Sequence, residues 1–215
     1  MGDKIEPNLT IIGTNHFQPK EEIEKIIEKN NPDIVLVELC NGRITLLEHP
    51  ELAAQQKGFS LLSLISKTIK NKAKEGNKEY GSDMNSAYRF SKLKKIPVGL
   101  IDRPMVETNV LMKAIPWKEK WILLKEARKL KKTNLDKVVE EAENMDVDYL
   151  LKELKTKVPN LHYFLIISRE EYMVAKIKSY LYDHPGKKIL CFVGKGHEEE
   201  LKKRLNLIEK KGGDE

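Results

Sequence analysis

The chain has 215 residues, of which 33% are charged, and its 39 basic against 33 acidic side chains leave a net charge of +6. That length holds one domain with a proper core, alone or with a helical insertion, and the two cysteines, Cys40 and Cys191, sit beside apolar runs, which suits two small buried residues better than a disulfide framework or a four-ligand zinc site and points to a reducing cytoplasm. The N-terminus lacks the apolar core of a signal peptide, no run approaches the roughly 20 apolar residues of a membrane helix, and the lysine clusters at 92–95 and 129–132 lack interleaved aromatics, so neither a transmembrane segment nor a nucleic-acid partner is expected.

The first element is the apolar strand Leu9–Ile12, which runs into Gly13-Thr14-Asn15-His16. Pro19 opens a helix whose Ile23, Ile26 and Ile27 share one face, and Asn30-Asn31-Pro32-Asp33 stops it. Ile34–Val37 is a short continuous apolar run, the mark of a strand buried on both faces, and Glu38 follows it. Strand, helix and strand within about 30 residues predict a right-handed βαβ unit with parallel strands. Asn41-Gly42-Arg43 leads into helical sequence that breaks at His49-Pro50 and resumes toward Gln56. Residues 59–65 read as a buried helix and 71–80 as a polar loop. A helix capped by Ser82 or Asp83 then runs to about Leu93, and a third strand, Ile96–Ile101, ends in Asp102 and Arg103.

From Pro104 to about Lys157 the pattern is helical and strandless, with Trp117 and Trp121 four apart on one face. This predicts a helical insertion over the carboxyl ends of the strands. Pro159 starts a long helix that ends before His184-Pro185-Gly186. The last strand, Ile189–Val193, runs into Gly194-Lys195-Gly196-His197, and a helix follows to about Leu205. The fold class is α/β: a small, mostly parallel sheet flanked by helices, in a single domain over residues 1–207 with its insertion at about 104–157 and a flexible tail at 208–215.

One device thus occurs twice, an apolar strand running into Gly-x-x-His before a helix. Glycine suits the tight turn, and each histidine lands just past a strand's carboxyl end, the edge at which open parallel sheets bind ligands. Collected at that edge are His16, Glu38, Asp102, Arg103 and His197. Two histidines and a carboxylate are ligand types that hold a divalent transition ion with positions left open, and a nearby arginine could grip a carboxylate or steady an oxyanion. Each residue also has a plainer role open to it. Glu38 and Arg103 could form a buried ion pair, Asp102 could cap the helix after Pro104, and His49, His162 and His184 read as surface or turn residues.

Taken in order, these residues resemble the TraB/PrgY-like family, which is related to the TIKI and GumN group. The family's Gly-Thr-x-His is similar to Gly13-Thr14-Asn15-His16, and its Pro-Asp-x-Val-x-x-Glu-Leu with a following arginine to Pro32–Leu39 with Arg43. Its Gly-x-Glu-Met resembles Gly81-Ser82-Asp83-Met84, its Ile-Asp-Arg resembles Ile101-Asp102-Arg103, and its Glu-Arg-Asp-x-x-Met resembles Ser168–Met173. Its closing Val-Gly-x-Gly-His is similar to Val193–His197. The chain departs from the pattern at Cys40, where the family has aspartate, and at Asp83 and Ser168, where it has glutamate.

The resemblance implies an erythromycin-esterase and ChaN-like α/β fold with its site at the strand ends. TIKI relatives are metal-dependent peptidases, PrgY relatives shut down peptide pheromone signalling, and ChaN relatives are linked to haem. Archaeal relatives often carry a membrane-spanning tail, which is not expected here. By this resemblance His16 and His197 would bind a divalent ion (Mn, Co or Zn), with Glu38 or Asp83 as carboxylate ligand and the other as general base. Arg103 and Arg169 would stabilise the oxyanion, and Arg43, Asp102 and Tyr172 would contact a peptide or small-molecule substrate. The alternative is a protein that binds a peptide or haem-like ligand without turnover. A cytoplasmic protein able to form a homo-oligomer fits either role.

Overall fold

Four short runs of Ile, Leu, Val and Phe form the strands of one sheet, because each is too short for a helix and apolar enough to be covered on both sides. In a computed structural model, residues 8–14, 18–49, 52, 82–132 and 147–207 are described. In chain order their elements are β1 (Leu9–Thr14), α1 (Lys20–Asn30), β2 (Ile34–Val37), α2 (Asn41–Glu48), α3 (Ser82–Leu93), β3 (Val98–Leu100), α4 (Met105–Lys113), α5 (Trp117–Lys132), α6 (Val147–Lys157), α7 (Pro159–His162), a π-helical turn (Tyr163–Ile167), α8 (Ser168–Asp183), β4 (Ile189–Gly194) and α9 (Lys195–Arg204). His16, Gly81, the 59–65 helix, the 71–80 loop and the 208–215 tail lie outside the described residues. Among the described residues, no helix is long and apolar enough to cross a membrane.

Two compact units divide the chain: Met1–Leu47, Gly81–Arg103 and Arg169–Glu215 make the first, and Glu48–Tyr80 and Pro104–Ser168 the second. The first is the α/β unit. Its sheet has the order β1-β4-β2-β3, and every pairing is parallel. β1 and β2 are parallel, as the βαβ reading requires, but they are not neighbours, because β4 lies between them. Composition explains the order. All six residues of β4 are buried, so it takes a position with a strand on each side. β1 is only partly buried, and Pro97, which has no amide proton to donate, directly precedes the three-residue β3, so both belong at edges.

The alternation of side chains sorts the core onto two faces. Val35, Val37, Leu190 and Phe192 meet Ile23 and Ile27 of α1 and Met84, Ala87 and Phe90 of α3. Ile34, Leu36, Ile189, Cys191 and Val193 meet Met173 and Ile177 of α8 and Leu201 of α9. At the amino edge Asp33 ties β2 to the start of β4, taking the Lys188 amide at 2.8 Å.

Close approach, rather than turn geometry, explains Gly13 of the repeated motif. Among the described glycines only Gly186 has a positive φ. Gly13 lies within β1, and a β-carbon there would stand 2.9 Å from Cβ of Glu198 in α9. Gly194 has an extended backbone, with α9 beginning at the next residue.

The second unit is helical among its described residues. Its core joins Ile115, Val158 and Leu161, with Met112, Leu123, Leu154, Phe164 and Leu165 packed against them. Buried Glu119 of α5 replaces the missing acceptors at the start of α7: Oε1 takes the Asn160 amide at 3.1 Å and Oε2 the Leu161 amide at 3.0 Å. His162 is buried, unlike the surface or turn residue expected, whereas His49 and His184 are exposed. The helix expected to run unbroken from Pro159 widens over Tyr163–Ile167, where the Ser168 amide bonds the Tyr163 carbonyl five residues back.

Gly13→Ala should lower the unfolding free energy by roughly 1–3 kcal/mol through overpacking against Glu198, read as a lower urea midpoint at unchanged slope. Glu119→Ala should cost about 1–3 kcal/mol by stranding two amides, and Glu119→Gln, which keeps an acceptor, should recover part of that loss in the same measurement.

Candidate functional site

The ladder of backbone hydrogen bonds continues past the strands and fixes two acidic residues at the carboxyl edge. The Glu38 amide donates to the Phe192 carbonyl and the Asp102 amide to the Leu39 carbonyl, each at 3.0 Å. Both side chains are buried, which a carboxylate tolerates only when paired.

Their shared partner is Arg169 in the first turn of α8. Its Nε donates to Asp102 Oδ1 at 2.8 Å, and its Nη2 bonds Glu38 Oε1. Asp102 also accepts the Arg103 amide at 2.8 Å and pairs with Arg43 Nη2 at 3.2 Å. The Gly194 amide donates to Glu38 Oε2 at 2.6 Å. Asp102 is therefore held by three arginines and does not cap α4, which starts after Pro104 with no side-chain cap. The ion pair of Glu38 is with Arg169. Arg103 instead lies over the ring of Tyr172, 5.9 Å from its centroid.

His197 sits in the first turn of α9 and is buried. Its Nδ1 is 3.1 Å from Glu170 Oε1, and its Nε2 is 3.8 Å from Glu38 Oε1. The Glu170 contact at Nδ1 orients the ring with Nε2 toward Glu38. Arg204 Nη2 stands 3.5 Å from the other Glu170 oxygen. Glu170 was assigned no role from sequence. The available signal was its place beside Arg169 at a helix start, where neighbouring side chains point about 100° apart and so reach different partners.

Burial alone would raise the pKa of Glu38. The Arg169 guanidinium, His197, the Gly194 amide and Arg43 outweigh it and hold the carboxyl down at about 2. Glu38 is thus an anion at neutral pH with a partner on each oxygen. Burial by itself would lower the pKa of Arg169, but Glu38 and Asp102 reverse this and raise it above its already high ordinary value. The thiol of Cys191, buried and then facing the Glu38 anion, is pushed upward and stays protonated.

Glu38, Asp102, Arg43, Arg169 and His197 therefore form one contact network within the first unit, with Arg103 and Tyr172 joined through Asp102. Asp83 makes a different contact, at the end of β1. It is fully buried, accepts the Thr14 hydroxyl on Oδ2 and takes the Met84 amide on Oδ1 at 2.7 Å. His16 lies outside the described residues.

A histidine whose Nδ1 is held by a carboxylate while Nε2 is presented is how metal-bound histidines are commonly oriented. His197 and Glu38 fit a divalent ion in chemical kind and supply two of the three expected donors. Among the described residues, no group of three His, Cys, Asp or Glu side chains is placed to hold an ion.

Fold and site together define an α/β protein with a buried, charge-paired cluster at the carboxyl edge of a parallel sheet. No protein-family model matches the chain, and no curated protein matches it.

A carboxylate whose folded pKa lies below its unfolded value stabilises the fold above the unfolded pKa and loses that contribution as pH falls toward the folded one. For Glu38 the window runs from the ordinary 4.5 down to about 2. Urea midpoints should therefore fall as pH drops from 5 to 2. Glu38→Gln should flatten this acid limb, and it should also lower stability at pH 7 by roughly 3–5 kcal/mol, because Arg169 loses a buried counter-charge.

Proposed function

We propose that the chain is a TraB/PrgY-like hydrolase that cleaves peptides at the carboxyl edge of its sheet, with His197, Glu38 and His16 holding a divalent ion. The observation that carries this reading is the Glu170–His197 pair, which orients an imidazole with Nε2 toward a permanently ionised Glu38. A divalent ion held there would polarise a peptide carbonyl and make water more acidic, the chemistry that peptide hydrolysis needs. Arg43, whose side chain is 44% exposed, is suited to grip a substrate oxygen. Arg169 anchors Glu38 and Asp102, so its contribution is to hold the cluster in place. The order of motifs from Gly13 to His197 supports the family assignment.

Two of the sequence departures bear on this reading through their positions. Cys40 is buried immediately before α2, and its carbonyl accepts the Arg43 and Ile44 amides. An aspartate there would be placed to cap that helix, so its replacement bears on helix stability more than on chemistry. The Ser168 hydroxyl donates to the Phe164 carbonyl at 3.2 Å. The two cysteines are free and buried, which fits a reducing cytoplasm.

One observation favours a second reading, a protein that binds a peptide or haem-like ligand without turnover. Glu38 has a partner on both oxygens and remains ionised down to about pH 2, so it is a poor proton acceptor for catalysis near neutrality.

With Mn, Co or Zn supplied, His197→Ala and His16→Ala should lose bound metal together with cleavage of a peptide library, while Glu170→Gln should weaken metal affinity by roughly 10- to 100-fold. Chelator-sensitive cleavage by the wild type would dismiss the binding-only reading. Absence of bound metal, with both histidine variants melting as wild type in the presence and absence of ions, would dismiss the hydrolase.

A further inference from the structure

Among its described residues, the second unit displays an apolar face that their core does not use. In α5, Glu119 and Leu123 point inward, Glu119 to the start of α7 and Leu123 onto the Ile115 cluster. Trp117, Trp121 and Leu124 fall within about 60° of one another on the opposite side of the helix. Their exposures are 67%, 49% and 40%. The two indoles meet edge to face, with centroids 5.9 Å apart. Val106 and Val110, one turn apart on α4, are likewise exposed. Large exposed side chains grouped in this way mark an interaction site more often than a bare surface.

Charge identifies the partner. α5 carries Lys118, Lys120, Lys125, Arg128, Lys129, Lys131 and Lys132 against only Glu119 and Glu126, and Glu119 is spent inside the unit. Lys118 and Lys125 are exposed beside the tryptophan side of the helix. Tryptophan and leucine on the outer face of a lysine-rich helix are what a helix lying in the headgroup region of an anionic bilayer requires: the indoles sit at the boundary between headgroup and acyl chain, and the lysines meet lipid phosphates and carboxylates. No helix among the described residues can span, so the contact would be peripheral. We infer that α5 is a docking surface for an anionic lipid bilayer, which it meets with Trp117, Trp121 and Leu124 inserted and Lys118 and Lys125 against the headgroups.

The sequence provides the probe, because its two tryptophans are both on this face. In the full-length protein, vesicles of phosphatidylcholine with 30% phosphatidylserine, an arbitrary test composition of roughly plasma-membrane charge, should shift the tryptophan emission to the blue. Brominated lipid should quench it, and pure phosphatidylcholine should do neither. Lys118→Glu with Lys125→Glu should weaken partitioning roughly tenfold or more. Trp117→Ser with Trp121→Ser, followed by vesicle sedimentation, should abolish binding while circular dichroism stays unchanged. Three results would overturn the inference: no shift with anionic vesicles, a shift that depends on protein concentration without lipid (a second copy covers the face), or emission already blue and shielded from iodide in the free protein (the chain's own segments cover it). The inference is independent of the hydrolase reading, since metal content and cleavage should be the same in these surface variants.

Discussion

The carboxyl edge of the sheet depends on one guanidinium. Arg169 reaches the residues that follow β2 and β3 from the first turn of α8, and it holds Glu38 and Asp102 where the backbone ladder has already delivered them. Buried ion pairs seldom add net stability, because desolvation consumes most of the Coulomb gain. What the arrangement contributes is position. With Arg169 in place both acids have a fixed orientation, and further polar groups gather about them: the Gly194 amide on one side, Arg43 on another, and the imidazole of His197 facing Glu38.

The same constraint explains why the sheet has its order. Gly194 can donate to Glu38 only because β4 lies next to β2, and β4, buried along all six residues, suits a position with a strand on each side. A strand encoded near residue 190 thereby brings His197 against a carboxylate encoded near residue 38. The glycines contribute by having no side chain. At Gly13 the missing β-carbon lets α9 approach β1, so the helix that carries His197 sits close to the sheet.

Much of this was legible in the sequence because it rests on local periodicity. Apolar runs ending in Glu38, Asp102 and Gly194 mark strands and their carboxyl ends, and a parallel sheet then places those ends together. The adjacency of β4 to both β1 and β2 was not legible, because hydrophobic pattern identifies a buried strand without naming its neighbours. Nor was the pairing of Arg169. A helix start 131 residues from Glu38 carries no periodic signal for its partner, so the pairing of Arg169 with Glu38 and Asp102 had to come from the structure. Glu170 escaped for the same reason, and Asp83, legible at a helix start where it takes the Met84 amide, is also buried against Thr14.

Spare hydrogen-bonding capacity is what separates the buried acids that build the structure from groups that could do chemistry. Glu119 in the helical unit gives both oxygens to backbone amides of α7 and is structural throughout. Glu38 in the sheet unit is filled in the same way, by Gly194 and Arg169, although it stands where a catalytic acid would be sought. His197 differs. Its Nδ1 is held by Glu170, while its Nε2 stands 3.8 Å from Glu38 Oε1, beyond hydrogen-bond length but beside a permanent negative charge. That geometry favours a cation over an anion beside Nε2. Any chemistry at this edge should therefore centre on that nitrogen and the Glu38 anion beside it, which Arg169 keeps in place.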